Sequence, residues 1–219
     1  MMAPQPKPAE ARPAPRLYLV TPPVADATAF ATPLAAALAA GDVAAVLLRL
    51  AEADERTWIN RAKALAPVVQ DKGAALLIGG HAELVARAGA DGAHLTGIEE
   101  FTAALAQLKP ERIVGVGGLV TRHDAMVAAE AGADYLMFGE PAGGERPSFD
   151  AIEERVAWWA EVFQAPCVAY AGSLDEVAPL VKAGADFIAL GDWLWRDPQE
   201  IAATVARAAA DLRLPESAA

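Results

Sequence analysis

Four times along this chain an alanine-rich run closes on a glycine followed by an aspartate, or by alanine and aspartate, and then turns apolar. The copies are AAGDVAAVLL at Ala39–Leu48, AGADGAHL at Ala88–Leu95, AGADYLMFGE at Ala131–Glu140 and AGADFIAL at Ala183–Leu190. Each reads as a helix that ends, a glycine in the left-handed position beyond it, and a buried strand that follows. A chain built this way has to repeat strand and helix in strict alternation. Extending the pattern predicts strands near Leu17–Val20, Val43–Arg49, Ala75–Ile78, Gly92–Leu95, Ile113–Val116, Tyr135–Phe138, Cys167–Tyr170 and Phe187–Leu190. Between and after them the periodicity predicts helices near Thr28–Ala40, Thr57–Lys72, Ala82–Ala88, Glu99–Leu108, Thr121–Ala131, Phe149–Gln164, Leu174–Ala183 and Pro198–Leu212.

Strands that are apolar without alternation imply a parallel sheet covered by helices on its outer side. Eight strand–helix units close into an α/β (β/α)₈ barrel, the TIM-barrel architecture. An open doubly wound sheet is the rival, but it uses fewer strands and a glycine-rich first turn, which LVTPPVAD at Leu19–Asp26 lacks. One domain over residues 16–214 suits a chain of 219 residues that is 54% apolar. The Pro/Ala-rich opening, residues 1–15, is expected to be a disordered tail.

A net charge of −11, with no basic stripe, argues against nucleic acid as a partner. An anionic ligand would need a local pocket of positive charge or of backbone N–H groups. The single cysteine, Cys167, rules out an internal disulfide and a thiolate zinc cluster, and reads as a small buried strand residue. Neither a signal-like core nor a bilayer-length apolar run is present, so the expectation is a soluble cytoplasmic protein without membrane contact.

In such a barrel the chemistry sits where strands feed helices, so the segments after each strand carry the candidate site. Arg49 closes the apolar run VAAVLLRL, and a guanidinium there has to meet an anion or carbonyl groups. AGSLDE after strand seven, with Gly172 and Ser173, and LGDW after strand eight, with Gly191, occupy the positions where these barrels bind phosphate through backbone N–H groups. Ser173 and Glu176 also fit a capping box, and Asp192 would oppose an anion unless it turns away. The loop GEPAGGERPS, Gly139–Ser148, reads as a lid with one cation, Arg146, able to clamp a phosphate. Glu140, directly after strand six, points at the mouth as an acid or base. Glu99 is a carboxylate candidate for Mg²⁺, although Thr96–Glu99 fits a helix cap as well. His94 at its strand end reads as a packed, hydrogen-bonded histidine. Trp158, Trp159, Trp193 and Trp195 form two close pairs that suit either packing on outer helices or a subunit contact in a homodimer.

The segments RLYLVT, GADGAHL, RIVGV, AAEAGADYLMFGE, APCVAYAGS and AGADFIAL, in that order from Leu17 to about Trp195, resemble the thiamine phosphate synthase family and its sister group, the thiazole tautomerases. The resemblance implies a (β/α)₈ barrel that joins an aminopyrimidine diphosphate to a thiazole phosphate and releases pyrophosphate with the help of Mg²⁺. Of the family's residues after strand two only Arg49 is kept, and Gly79-Gly80 stand in place of an Asn-Asp pair. Gly117 replaces a serine, Arg146 remains from the pyrophosphate loop, Ala171-Gly172 replace a Gly-Gly pair, and Glu99 falls nearest a metal-binding aspartate. Glu140 stands where the tautomerases place a catalytic histidine. Three readings follow: a transferase using Arg49 and Arg146, an isomerase using Glu140, and a phosphate-ligand-binding barrel without catalysis.

Overall fold

The computed structural model of the chain describes residues 13–141 and 146–213. Most of the expected disordered tail, residues 1–12, and residues 142–145 of the glycine-rich loop lie outside the described residues. Eight parallel strands form a closed barrel in sequence order: β1 (Arg16–Val20), β2 (Val43–Leu48), β3 (Ala75–Gly79), β4 (Gly92–Thr96), β5 (Ile113–Gly117), β6 (Tyr135–Phe138), β7 (Cys167–Ala171) and β8 (Phe187–Leu190). The last strand pairs back onto the first, Leu17 against Ile188, which closes the ring. Outside it run α1 (Ala27–Ala40), α2 (Glu55–Gln70), α3 (Val85–Ala88), α4 (Gly97–Leu108), α5 (Arg122–Glu130), α6 (Phe149–Val162), α7 (Val177–Lys182) and α8 (Ile201–Asp211).

The repeated motif turns out to be a staple between neighbouring strands. Gly89, Gly132 and Gly184 take φ of 71°, 98° and 97°, which ends the preceding helix as a residue with a Cβ could not without strain. Each following aspartate then grips the start of the preceding strand with both its backbone and its side chain. Asp91 N donates to Leu76 O at 2.8 Å while Leu76 N donates to Asp91 Oδ2 at 2.7 Å. Asp134 and Val114 repeat the exchange at 2.9 and 2.7 Å, and Asp186 and Cys167 at 3.0 and 2.8 Å. The looser copy departs from this: Asp42 accepts instead from the Arg16 guanidinium, at 2.7 and 2.9 Å. Strand N–H groups at the barrel rim would otherwise be buried without a partner, so each aspartate removes a desolvation cost of about 1–3 kcal/mol.

Alternate residues of each strand face two apolar shells, which is why the sequence shows no polar alternation. Leu17, Leu19, Val46, Leu48, Leu76 and Ile78 pack outward under the helices, whereas Tyr18, Val20, Leu47, Leu77, Tyr135, Met137 and Tyr170 fill the barrel interior. Trp159 is fully buried in the outer shell, stacked on Phe163 and donating from Nε1 to Ala165 O at 2.7 Å. Helix starts use local acceptors. Asp26 accepts from Thr28 N and Ala29 N, and Thr121 with Asp124 forms a reciprocal capping box.

Where the structure departs from the sequence reading, it does so at helix ends. The third and seventh helices begin as 3-10 turns, Ala82–Leu84 and Leu174–Glu176, before one to two α-turns. The last helix starts at Ile201 rather than Pro198, because Asp197 Oδ1 accepts from Gln199 N and holds a turn there.

Candidate active site

The inward positions of β4, β5 and β6 are where packing gives way to polar chemistry. β5 supplies glycine at two of its inward positions, Gly115 and Gly117. A Cβ on Gly115 would lie 1.9 Å from Tyr135 Cζ, and one on Gly117 would lie 1.7 Å from Glu140 Oε1 and 2.9 Å from His94 Nε2. The missing side chains therefore make room for groups from the neighbouring strands.

Those groups form one connected chain. Tyr18 and Tyr135 share a hydrogen bond at 2.8 Å, Tyr135 Oη meets His94 Nδ1 at 2.9 Å, and His94 Nε2 meets both Glu140 oxygens at 3.1 and 3.2 Å. His94 is 3% exposed and the Glu140 side chain 13%, so the chain runs from the barrel interior to the mouth. Burial pushes the Tyr18 and Tyr135 phenols far above their ordinary ionisation range, and the nearby Glu140 charge adds to the shift. Both are held as neutral donors. Proton placement follows: a carboxylate only accepts, so His94 Nε2 donates to Glu140, Nδ1 accepts from Tyr135, and Tyr135 accepts from Tyr18.

Two arginines reach the same end of the barrel, each already joined to a carboxylate. Arg49, just beyond β2, donates from Nε to Thr21 O at 2.5 Å and from its guanidinium to Asp192. Arg146 donates to Glu176 Oε1 at 3.2 Å, to Glu176 Oε2 at 2.5 Å and to Tyr170 O at 2.9 Å. The backbone N–H of Gly172 donates to the same Oε2 at 2.6 Å. A Cβ at Gly172 would stand 2.8 Å from the Arg146 guanidinium, so the glycine allows the arginine to lie over the end of β7. Tyr170 lies beneath, its hydroxyl accepting from Asp192 N at 3.3 Å, and burial raises its ionisation above the ordinary value. Gly191 leaves space for that hydroxyl, which a Cβ would approach to 1.8 Å.

A cavity of about 390 Å³ opens between these groups, lined by Arg49, His94, Glu140 and Glu100, by Gly79-Gly80, and by the apolar edges of Val20, Leu47 and Tyr170. The arrangement brings together two arginines paired with carboxylates, the Gly172 amide bonded to Glu176, and the Glu140 carboxylate held by His94. A family model described as thiamine monophosphate synthase matches residues 17–193. The chain belongs to the thiamine monophosphate synthase family.

Relatives in that family are similar over nearly their whole length. A thiamine-phosphate synthase from Rhodospirillum centenum is 45% identical over 87% of this chain and 94% of its own. One from Hyphomonas neptunium is 39% identical over 90% and 93% of the two chains. Among solved structures, the thiamine phosphate pyrophosphorylase from Pyrococcus furiosus superposes with a TM-score of 0.74 at 21% identity, covering 90% of this chain and 95% of its own. The last comparison supports the barrel itself.

Against the family pattern, Arg49 and Glu140 both line the central cavity, and Arg146 lies over Gly172 at the neighbouring rim. Gly172 presents its amide, but Ser173 is exposed and makes no side-chain cap bond; Glu176, its expected capping partner, accepts from Gly172 and Arg146 instead. Glu99 is exposed on the first turn of α4 and borders a separate groove with Gly118 and Asp124, while its neighbour Glu100 lines the central cavity. Trp193 and Trp195 donate to Ala171 O and Val20 O, both at 2.8 Å, and so brace the ends of β7 and β1.

The resemblance implies Mg²⁺, and the donor set does not form a cage for it. Among the described residues no group of three or more His, Cys, Asp or Glu side chains gathers as metal ligands. Around the mouth Asp192 and Glu176 are joined to arginines and Glu140 to His94. Sequence reasoning named His94 and Glu140 separately and missed the Tyr18–Tyr135–His94–Glu140 chain that joins them. The one trace of it in the sequence was the glycine-rich VGVGG at Val114–Gly118, whose inward positions leave space that something else has to fill.

Proposed function

We propose that this chain joins an aminopyrimidine diphosphate to a thiazole phosphate with release of pyrophosphate. The observation that carries this reading is the seat around Glu176 Oε2, one anionic oxygen gripped at once by the Gly172 amide and the Arg146 guanidinium. Two donors of different origin converging on a single oxygen suit a phosphate oxygen as well as they suit this carboxylate, which supports the reading. In this reading Gly172, Ser173 and Gly191 hold the thiazole phosphate. Arg49 and Arg146 stabilise the negative charge that grows on the departing diphosphate. The 390 Å³ cavity gives the reacting rings apolar walls in Val20, Leu47 and Tyr170. Mg²⁺, for which the described residues form no cage, would supply further charge neutralisation if bound.

The test is direct. Purified protein is given both substrates with and without Mg²⁺, and thiamine phosphate and pyrophosphate are measured together. Equal amounts of the two products are expected, and Arg146→Ala should lower kcat/KM about 100-fold. An absence of both products under every metal condition would remove the synthase reading.

A further inference from the structure

Of the acidic side chains around the mouth, Asp192 and Glu176 each face an arginine, the exposed Glu100 accepts from Thr96 N, and the largely buried Glu140 faces no arginine. Its hydrogen-bond partner is His94, itself held by Tyr135 and Tyr18. A carboxylate that is 13% exposed and backed by an imidazole and two phenols rather than by an arginine is oriented but has no permanent countercharge beside it. Its complement has to come from what enters the cavity.

The shape of the surroundings says what that complement is. Glu140 lies in the volume that a side chain at Gly117 would fill, so both of its oxygens are held at the end of β5. Val20, Leu47 and Tyr170 give the cavity apolar walls, which suit a flat ring, and the carboxylate offers an acceptor pair at the ring's edge. A ring amine beside a protonated ring nitrogen presents two N–H donors with the same spacing as two carboxylate oxygens, in the manner of a guanidinium.

We propose that Glu140, aimed by His94 and by the Tyr135–Tyr18 pair behind it, is the specificity residue that recognises the amino-bearing edge of the pyrimidine. His94, Tyr135 and Tyr18 are positioning residues that act through it. The role rests on the synthase reading for the identity of the ring, and it also accounts for Gly117, because any side chain there would evict the carboxylate. A neutral analogue carrying a carbonyl in place of the ring amine meets the carboxylate oxygen to oxygen, and the site rejects it.

The experiment uses the full chain and two phosphate-free probes, 4-amino-5-hydroxymethyl-2-methylpyrimidine and its 4-oxo counterpart, titrated calorimetrically. Wild type is expected to bind the amino probe at least about 30-fold more tightly, the equivalent of roughly 2 kcal/mol. Glu140→Gln, which keeps the shape and removes the charge, should abolish that preference. Gly117→Ala, which leaves Glu140 chemically intact, should do the same by displacing it, with melting curves confirming that both variants fold. In turnover, His94→Asn should raise KM for the aminopyrimidine diphosphate and leave KM for the thiazole phosphate unchanged. A Glu140→Gln protein that discriminates like wild type overturns the proposal, as does a wild type that binds both probes equally or neither. Amino preference without turnover would remove the synthase reading and leave the role of Glu140 standing. Turnover with discrimination intact in Glu140→Gln would do the reverse.

Discussion

The two ends of this barrel solve the same problem, polar groups beside an apolar core, in opposite ways. At the end where helices feed strands, one local device recurs: a left-handed glycine and an aspartate that pairs twice with the preceding strand, at Asp91, Asp134 and Asp186. At the other end no two loops match. Its polar groups instead meet across the barrel, Tyr18 with Tyr135 and His94 with Glu140, over sequence separations of 117 and 46 residues. Repetition serves stability at the first end, and convergence serves chemistry at the second.

Three substitutions sharpen that contrast. Asp134→Ala should have the largest effect on stability, because it leaves the Val114 N–H buried without its 2.7 Å acceptor. A loss of about 1–3 kcal/mol in denaturant unfolding is expected, with kcat/KM unchanged, and a large fall in kcat/KM would break the division of labour between the ends. The interior chain should show itself on the alkaline side. Unfolded tyrosines ionise near 10, whereas burial holds all three tyrosines of the folded chain above that value. Their folded-state contribution is complete below pH 10 and declines as pH rises past it, by up to about 1.4 kcal/mol per pH unit for each tyrosine. Tyr18→Phe should flatten the fall in melting temperature between pH 9.5 and about 11; an unchanged slope would count against a buried phenol chain. Asp42→Asn should be the smallest. Arg16 holds the Asp42 carboxyl below its ordinary range, so its contribution is present above the unfolded value and is lost as pH falls through the folded one. The pair is largely exposed, so water screens it to no more than about 0.5 kcal/mol, seen as a slightly shallower acid limb in the variant.

The same contrast explains what could be read without a structure. Every strand was placed to within a residue at each end, because glycine, aspartate and an apolar run announce β2, β4, β6 and β8, and the strands between them are short apolar runs of their own. Arg49 was legible as well, since a guanidinium closing VAAVLLRL needs a partner. Its partner was not, because Asp192 lies 143 positions away and was read as a neighbour of the phosphate position rather than as the arginine's counterion. His94 read as a packed histidine, and it is one; what the sequence withheld is that its packing partners are Tyr135 and Glu140. Glu176 read as half of a capping box with Ser173, whereas it accepts from Gly172 and from Arg146, a partner 30 positions earlier in the chain.

The carboxylate seated between Gly172 and Arg146 also sets a threshold for whatever replaces it. An arriving anion does not fill a vacancy; it displaces an incumbent of one negative charge that is tethered and so pays no cost of association. A monoanion gains little by the exchange, while a phosphate dianion brings a second charge to the same two donors and has the advantage. In the proposed function Glu176 would act as a filter on ligand valence, favouring a dianion over singly charged solutes at this seat.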